Sequence, residues 1–274
     1  MNKKLIALVL AAVMVVACFA LAACGGKTET TDPSDTPAAD SDLAYIKDKG
    51  TLVIGITDFA PMDYQEEGSE DWIGFDADLA KKFAESLGVN AEFQLIEWEF
   101  KANELDGKTI DCVWNGMTLT DEVKAAMDCS KAYLNNQQIV IVPADKAADY
   151  QTADACKDLR FAVEAGSAGE AVAKENGFET TPVLDQATAL QEVAAGTCDA
   201  AIIDSLMAAA MVGEGTSYAN LTYTIGLNNE EYGVGFRKGS DLVDTFNAFL
   251  DTIIADGTID TVAETYNVQA ALIK

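Results

Sequence analysis

The chain has 274 residues, 45 Asp and Glu against 18 Lys and Arg, a formal net charge of −27 and no histidine. Without imidazole, Ser-His-Asp and Cys-His catalysis, His-ligated zinc and a histidine proton switch are excluded. The negative charge repels phosphates, so we expect no nucleic-acid partner. Because 49% of the residues are apolar, the acidity does not indicate disorder, and the length suffices for one large or two small domains.

Residues 1–23 have the pattern of an export signal peptide. Two lysines precede an apolar run over 5–23, and small residues lead to Cys24. The run is 19 residues long, so an uncleaved membrane anchor is the alternative. The sequence Leu21-Ala-Ala-Cys24 resembles the lipobox of bacterial lipoproteins, which implies cleavage before Cys24, its lipidation (palmitate included) and anchoring on the extracytoplasmic face of the bacterial cell membrane.

Residues 24–43 are predicted to be the lipidated cysteine and a flexible tether, because Gly, Thr, Asp, Pro, Ser and Ala dominate 25–42. Loss of residues 1–23 would remove two lysines and leave a charge of 16 − 45 = −29. Four cysteines remain in the folded part. In an exported protein they can form two disulfides in any of three pairings, or remain buried thiols: Cys112, Cys129, Cys156 and Cys198.

Apolar patterning predicts that strands and helices alternate along the rest of the chain. A buried strand over 51–56 precedes an amphipathic helix from Phe75 to Leu87, which Asp76 can cap and Gly88 can end. Further strands are predicted over 91–96, 110–114, 138–142, 159–163, 200–203, 221–225 and 232–236. Further helices are predicted over 100–105, 121–127, 169–176, 185–195, 205–212, 241–256 and 259–266.

This alternation predicts an α/β fold with mostly parallel sheets and helices on both faces. A weak internal similarity adds to it. Asp111 and Asp199 each lead into an apolar strand, and Asn115 and Asp204 close those strands. Ligands of open α/β sheets sit at the carboxyl ends of strands, so the similarity suggests two lobes facing one cleft.

Several motifs in chain order resemble the polar amino-acid-binding family of bacterial solute-binding proteins (family 3), which serve ABC importers. They include Ile-Gly-Phe-Asp-Ala-Asp-Leu-Ala at 73–80 and Tyr-Gly-Val-Gly-Phe-Arg-Lys-Gly at 232–239, with further matches at 111–121, 127–133, 164–170, 199–204 and 255–259. The resemblance implies a two-lobed, periplasmic-binding-protein-like (type II) fold with mixed sheets, helices on both faces and a ligand cleft between lobes that close like a hinge. Lobe 1 would be 44–137 plus 235–274, and lobe 2 would be 138–234.

The resemblance also implies a set of ligand-binding residues. Asp204 matches the acid that holds the ligand α-ammonium, although it could instead cap the helix over 205–212. Ser167 and Ala168 match a turn whose N–H groups bind a carboxylate, with a plain capped loop as the alternative. The remaining matches are Asn115, Gly116, Met117 and Thr118 in lobe 1, Trp98 as an apolar wall, and Asp58 with Phe59 in a loop; capping by Thr118 or Thr120 and core burial of Trp98 are the alternatives.

One departure from the family concerns the ligand carboxylate. Where the family has an arginine for it, this chain has Val123, and neither of its two arginines, Arg160 and Arg237, aligns with that role. The carboxylate could be held by the Ser167 turn, Thr118 and Lys124 or Lys131, which we prefer. Otherwise the ligand lacks an α-carboxylate, as a cationic amine does, or the alignment is shifted at this helix.

The implied fold favours the pairings Cys156 with Cys198 and Cys112 with Cys129. It implies a monomeric, lipid-anchored binding protein, with no enzymatic activity, cofactor or metal. The protein would capture a polar amino acid or related small amine and deliver it to ABC permease subunits. The alternatives are a ligand-sensing receptor domain and, less favoured, a secreted dehydratase-like enzyme on the same fold.

Overall fold

The computed structural model describes residues 41–273, so the predicted signal peptide, Cys24 and most of the tether lie outside the described residues. The described part begins with a helix, α1 (Asp42–Lys49). The Ser41 hydroxyl accepts the Ala44 N–H at its start, and Gly50 ends it in the left-handed conformation. Asp42 is buried, so the last two residues of the predicted tether, Asp42 and Leu43, belong to this helix.

The first sheet has the strand order β4-β1-β5-β13-β6, and β7 also pairs with β13. β1 is parallel to β4 and β5, whereas β13 runs antiparallel to β5, β6 and β7. A separate two-stranded ribbon joins β2 to β3. The strands are β1 (Thr51–Ile56), β2 (Tyr64–Gln65), β3 (Trp72–Ile73), β4 (Asn90–Leu95), β5 (Cys112–Thr118), β6 (Asp128–Cys129), β7 (Leu134–Asn136) and, after the second sheet, β13 (Glu230–Phe236).

The second sheet has the order β10-β9-β11-β8-β12, in which β9, β10 and β11 are parallel and β8 is antiparallel to both of its neighbours. Both sheets are therefore mixed, and the predicted two-lobed α/β fold is confirmed. The strands are β8 (Gln138–Pro143), β9 (Arg160–Glu164), β10 (Glu179–Val183), β11 (Ala200–Asp204) and β12 (Leu221–Gly226).

The helices cover the sheets along apolar stripes. On α2, Phe75, Leu79 and Phe83 are all buried in the core of the first lobe, where the Phe83 ring lies 5.2 Å from that of Phe246 on α8. The other helices are α3 (Lys101–Asp106), α4 (Asp121–Ala126), α5 (Ala168–Glu175), α6 (Gln186–Ala195), α7 (Ser205–Met211) and α9 (Thr258–Thr265), with α2 at Phe75–Leu87 and α8 at Leu242–Ala255.

The chain crosses between the sheets twice. Gln137 separates β7 of the first sheet from β8 of the second, and residues 227–229 separate β12 from β13. Because Glu230 already pairs with Asn136 in the first sheet, we propose lobe boundaries at 137 and at 227–229, the second a few residues before the predicted 235. Within residues 41–273, no helix is both long enough and apolar enough to cross a membrane.

The four cysteines of the described part are free thiols, so neither predicted disulfide is present. Cys156 and Cys198 do precede neighbouring strands, but Cys156 packs in the cluster around Phe161 and Cys198 in a different one. Cys112 and Cys129 likewise belong to different apolar clusters. The strands that follow Cys156 and Cys198 are therefore neighbours as predicted, but the side chains of each predicted pair pack into separate parts of the core.

Arg237 is a structural residue of the first lobe. Its guanidinium donates to Asp42, to the carbonyls of Leu105 and Ile110, and at 3.5 Å to Asp111. The side chain is 8% exposed. These contacts tie α1, the end of α3 and the start of β5 together, so Arg237 is unavailable for a ligand.

We expect Arg237→Met to lower the free energy of unfolding by about 3–5 kcal/mol, because it leaves Asp42 and Asp111 buried with one partner fewer. Arg160→Met is the matched control, since Arg160 is exposed, and it should cost less than about 1 kcal/mol. Urea denaturation of both variants measures the difference. Equal losses in the two variants would contradict a buried charge network at Arg237.

Candidate functional site

A cavity of about 800 Å³ lies between the two lobes. It is lined by the carboxyl ends of β5, β9 and β11 and by the start of β13, where Thr118, Glu164, Asp204 and Glu230 stand. Its volume is within the roughly 300–1,000 Å³ of typical small-molecule sites. The chain thus places its polar strand ends around one small-molecule-sized space, as expected for open α/β sheets.

Nine of the ten predicted ligand residues line this cavity, and Asp58 does not. Asp58 is exposed as a residue, but its carboxyl group is partly shielded from water; this desolvation, and then the charge of Asp185 of the other lobe, raise its pKa. The role of all ten in ligand binding stays a prediction. The nine are Phe59, Trp98, Asn115, Gly116, Met117, Thr118, Ser167, Ala168 and Asp204.

Asp204 lines the cavity at the end of β11. Its backbone is at the N-cap position of α7, yet its side chain makes no capping hydrogen bond. Instead the carboxylate accepts from the side-chain amides of Asn136, Gln138 and Gln186, and the Asp204 N–H donates to Gln186 Oε1 at 2.8 Å. The alternative role as a helix cap is therefore absent, and only 3% of the residue is exposed.

Glu230 faces Asp204 across two shared amide donors. Gln138 Nε2 lies 2.7 Å from Asp204 Oδ1 and 2.8 Å from Glu230 Oε1, and Asn136 Nδ2 also donates to both carboxylates. Burial, with the negative charge of Glu230, raises the pKa of Asp204 well above its usual range. Two carboxylates this close bind a proton or another cation strongly.

The Asn115 and Gly116 segment is held in place by buried polar groups of lobe 1. The Asn115 side chain accepts from Thr57 and donates to the Thr57 carbonyl and to Asp63, so it ties β5 to the segment that follows β1. The Gly116 N–H donates to Asp76 Oδ2 at 2.7 Å. Asp76 therefore holds the cavity wall in place. The sequence predicted that Asp76 could cap α2, and it does not; Gly88 does end that helix, as predicted.

Trp98 and Lys101 bring lobe 1 into contact with lobe 2. Lys101 Nζ donates to the carbonyls of Trp98 (3.2 Å) and Gly166 (2.9 Å), and it lies 4.8 Å from the Trp98 ring centroid. Gly166 has φ +70°, and a Cβ there would come within 2.7 Å of Glu99 Cα. Trp98 lines the cavity, and at 7% exposure it also packs in a core cluster, so both of its predicted positions are occupied at once.

Most of the hydrogen-bonding groups in the Ser167 turn are paired with other groups of lobe 2. Ser167 caps α5 by accepting the Glu170 N–H, the Gly166 N–H donates to Glu170 Oε2 at 3.0 Å, and the Ser167 N–H donates to the Glu164 carbonyl. Thr118 donates its hydroxyl to Glu230 at 2.9 Å, and Thr120 caps α4. Glu170 therefore takes the Gly166 N–H of this turn, and binding of a ligand carboxylate by Ser167 and Ala168 stays a prediction.

The two lysines proposed as carboxylate ligands do not reach the cavity. Lys124 is exposed, and Lys131 is exposed and paired with Asp251 at 2.7 Å. Arg160 is exposed as well, and Val123 lines the cavity where the family has arginine. Among the described residues that line the cavity, Lys101 is the single cation. Burial lowers its pKa, and Glu164 opposes that effect.

Sequence reasoning missed Asn136, which donates to Asp204 and Glu230, and five residues that line the cavity: Glu230, Gln138, Gln186, Glu164 and Lys101. A signal was present for Asn136, Glu230 and Gln138, because the polar runs Asn135-Asn-Gln-Gln138 and Asn228-Asn-Glu-Glu231 stand where the chain crosses between lobes. Glu164 and Lys101 carry no such signal, since a charged residue next to an apolar stretch is most often exposed.

Two α/β lobes that enclose a polar cavity with a buried carboxylate pair define a two-lobed small-molecule-binding protein. The model of the bacterial extracellular solute-binding proteins, family 3, matches residues 52–269, so the chain belongs to that family. The relatives it resembles are binding proteins.

The chain is 29% identical to the L-cystine-binding protein TcyJ of Escherichia coli (strain K12), over 81% of this chain and 84% of that one. It is 28% identical to the arginine-binding extracellular protein ArtP of Bacillus subtilis (strain 168), over 95% and 96% of the two chains. Among solved structures, the ancestral amino acid-binding protein AncCDT-1, a precursor of cyclohexadienyl dehydratase, superposes with a TM-score of 0.75 at 32% identity, covering 82% of this chain and 99% of that one.

Proposed function

We propose that this protein captures a polar amino acid or a related small amine outside the cytoplasm and delivers it to an ABC importer. The relatives support this, since their names assign them cystine, arginine, histidine and glutamine. The observation that carries it is the Asp204 carboxylate, buried at the cavity wall beside Glu230. An ammonium group placed there would neutralise a carboxylate pair that otherwise has to hold a proton.

Binding without catalysis is favoured by the relatives, whose names are those of binding proteins. The cavity itself treats both cases alike, because an elimination substrate and an amino acid each bring a carboxylate, and the lysine that lines the cavity, Lys101, already donates to two carbonyls. The likeness to a precursor of a dehydratase keeps the enzyme as a second candidate. A receptor that reports the ligand is the third; permease and ATPase genes beside this gene would favour transport.

For the location, we propose a lipid on Cys24 and a tether that holds a monomeric two-lobed domain at the extracytoplasmic face of the membrane. The support is the sequence pattern of 1–24 and the extracellular family. Metabolic labelling with a palmitate analogue tests it, with Cys24→Ala as the control that should remove the label.

A thermal-shift screen of the purified protein against the twenty amino acids, cystine and polyamines tests the function. A ligand that binds only the folded state stabilises it by RT ln(1 + [L]/Kd), about 2.7 kcal/mol at a hundredfold excess over Kd. We expect that to raise Tm by roughly 5–10 °C for a chain of this size. If no amino acid or amine shifts Tm, the proposed function is wrong.

A further inference from the structure

Lys101 joins the two lobes on the side of the cavity that lies away from the crossovers. It begins α3 of lobe 1, and its Nζ donates to the carbonyl of Gly166 in lobe 2 at 2.9 Å. In chain order α3 follows β4, which is three strands from β13 in the first sheet, and Gly166 follows β9, which is two strands from β8 in the second. The lobes are therefore connected across the cavity as well as through the chain at the crossovers.

The backbones of the two lobes also touch at this place. Gly166 has φ +70°, and a Cβ atom on it would lie 2.7 Å from Glu99 Cα and 2.9 Å from Glu99 Cβ. Side chains do not pack this close to a backbone, so any larger residue at 166 would push the lobes apart. Glycine therefore permits both the backbone conformation and the approach of the lobes. We call Glu99, Lys101 and Gly166 the closure contact.

The Lys101 ammonium group is buried in this contact. The residue is 8% exposed, and its Nζ also donates to the Trp98 carbonyl of its own lobe at 3.2 Å. When the lobes separate, this ammonium group loses the Gly166 carbonyl and gains water in its place. A hydrogen bond from a charged donor is worth more than a neutral one even after this exchange. The bond to Gly166 therefore favours the arrangement in which the lobes touch.

We propose that the closure contact keeps the lobes together around the molecule that the cavity holds, so that Lys101 and Gly166 set how long a ligand is retained and not which ligand is selected. This rests on the proposed function only in that the cavity binds a small molecule. A bond between the lobes acts on the equilibrium between their closed and open arrangements, and that equilibrium multiplies the dissociation rate of every ligand alike. Lys101 and Gly166 are thus positioning residues.

Two glycine variants provide the main test. Gly177 lies in the same lobe as Gly166 and has φ +71°, but a Cβ there meets nothing within 4 Å. Gly166→Ala and Gly177→Ala therefore share the same backbone strain, and only Gly166→Ala brings an atom between the lobes. The probe is the amino acid with the largest shift in the thermal screen, and stopped-flow fluorescence follows its release, since Trp98 lines the cavity. We expect release from Gly166→Ala to be about tenfold or more faster than from Gly177→Ala.

Lys101→Met removes the ammonium group and keeps an unbranched side chain. We expect release to be about tenfold faster. Lys124→Met is the matched control, because Lys124 is an exposed lysine of lobe 1 outside the cavity, and it should change the rate less than about twofold. In the double variant of Lys101→Met and Gly166→Ala the two effects should not multiply, because both break one contact. If they multiply in full, Lys101 acts on the ligand itself and the proposal is wrong.

The outcomes separate the closure contact from the proposed function. Equal release rates from Gly166→Ala and Gly177→Ala overturn the closure contact, while binding by the wild-type protein leaves the proposed function standing. If no amino acid or amine binds, the proposed function fails. Small-angle X-ray scattering, which needs no ligand, then decides on the closure contact: we expect a larger radius of gyration for Gly166→Ala than for Gly177→Ala, and equal radii overturn it.

Discussion

Asp204→Asn is expected to weaken binding of the cognate ligand by about 100-fold or more, while raising the Tm of the ligand-free protein. The loss follows because the variant replaces a charge-assisted bond to the ligand ammonium with a neutral one in a closed cavity. Asp204 is 3% exposed and accepts hydrogen bonds from three amides, two of which it shares with Glu230. No other predicted ligand residue is a buried carboxylate with a second carboxylate beside it.

The gain in stability follows from the sign of the pKa change. The folded state raises the pKa of Asp204 above its value of about 3.9 in the unfolded chain. The folded, ligand-free protein therefore holds this proton more strongly, and stability is lost as the pH rises above about 4 towards the folded-state pKa. Asparagine does not ionise, so at neutral pH the variant avoids the free-energy cost of ionising a buried carboxyl group.

Calorimetric titration and thermal unfolding measure the two effects together. Asp199→Asn is the control, because Asp199 is exposed near the opposite end of β11, where it accepts the Arg160 N–H. Affinity in Asp204→Asn within about threefold of wild type, a difference under about 1 kcal/mol, would refute the assignment. A Tm that falls instead of rising would show that the three amides depend on the carboxylate for stability.

Affinity for the ligand should increase between pH 5.5 and pH 8.5, with a proton released on binding. Asp204 faces Glu230, and Glu164 faces Asp185 and Lys101. Both carboxyl groups have raised pKa values, mainly through burial, and Glu164 reaches about 8. A bound cation favours the ionised form and so displaces these protons. Each proton released changes the affinity by at most about tenfold per pH unit.

Titrations in buffers with different ionisation enthalpies count the released protons directly. Glu164→Gln should remove the dependence near pH 8 and leave the proton that Asp204 releases. An affinity that stays constant over this range, or a proton taken up on binding, would mean that neither carboxyl group meets a cation. Lys101 would act on the affinity in the opposite direction. Burial lowers its pKa, so the lysine loses its proton more readily as the pH rises, and a ligand carboxylate would then bind less tightly.

Most helices and strands could be predicted from the sequence, since apolar residues repeat with the period of the element and glycine marks helix ends, as Gly88 and Gly196 do. The exceptions have physical reasons. β10 has the sequence Glu-Thr-Thr-Pro-Val, and its proline is tolerated because β10 is the edge strand of its sheet. α1 has a weak apolar pattern and is held by contacts such as the one between Asp42 and Arg237, 195 residues away in the chain.

The candidate site was predictable only where a residue's role depends on its place in a motif. Asp204, Ser167 and Thr118 could be located in this way, and all three line the cavity. What each side chain bonds could not be foreseen. The Asn115 amide donates to Thr57 and Asp63, and Glu170 accepts the Gly166 N–H of the turn that was expected to bind a carboxylate. The cysteines are a further example, because neighbouring strands do not decide which cluster a thiol enters.

By itself the sequence determined the α/β class, the order of most elements, the absence of imidazole chemistry and the lack of an arginine at position 123. These properties depend on composition and local periodicity, which need no folded chain to be observed. Tertiary structure alone decided that Arg237 is buried in lobe 1 and that Lys101 is the cation left at the cavity. It also decided that Asp204 and Glu230 share two amide donors, because the charge balance of a cleft depends on which distant residues the fold brings together.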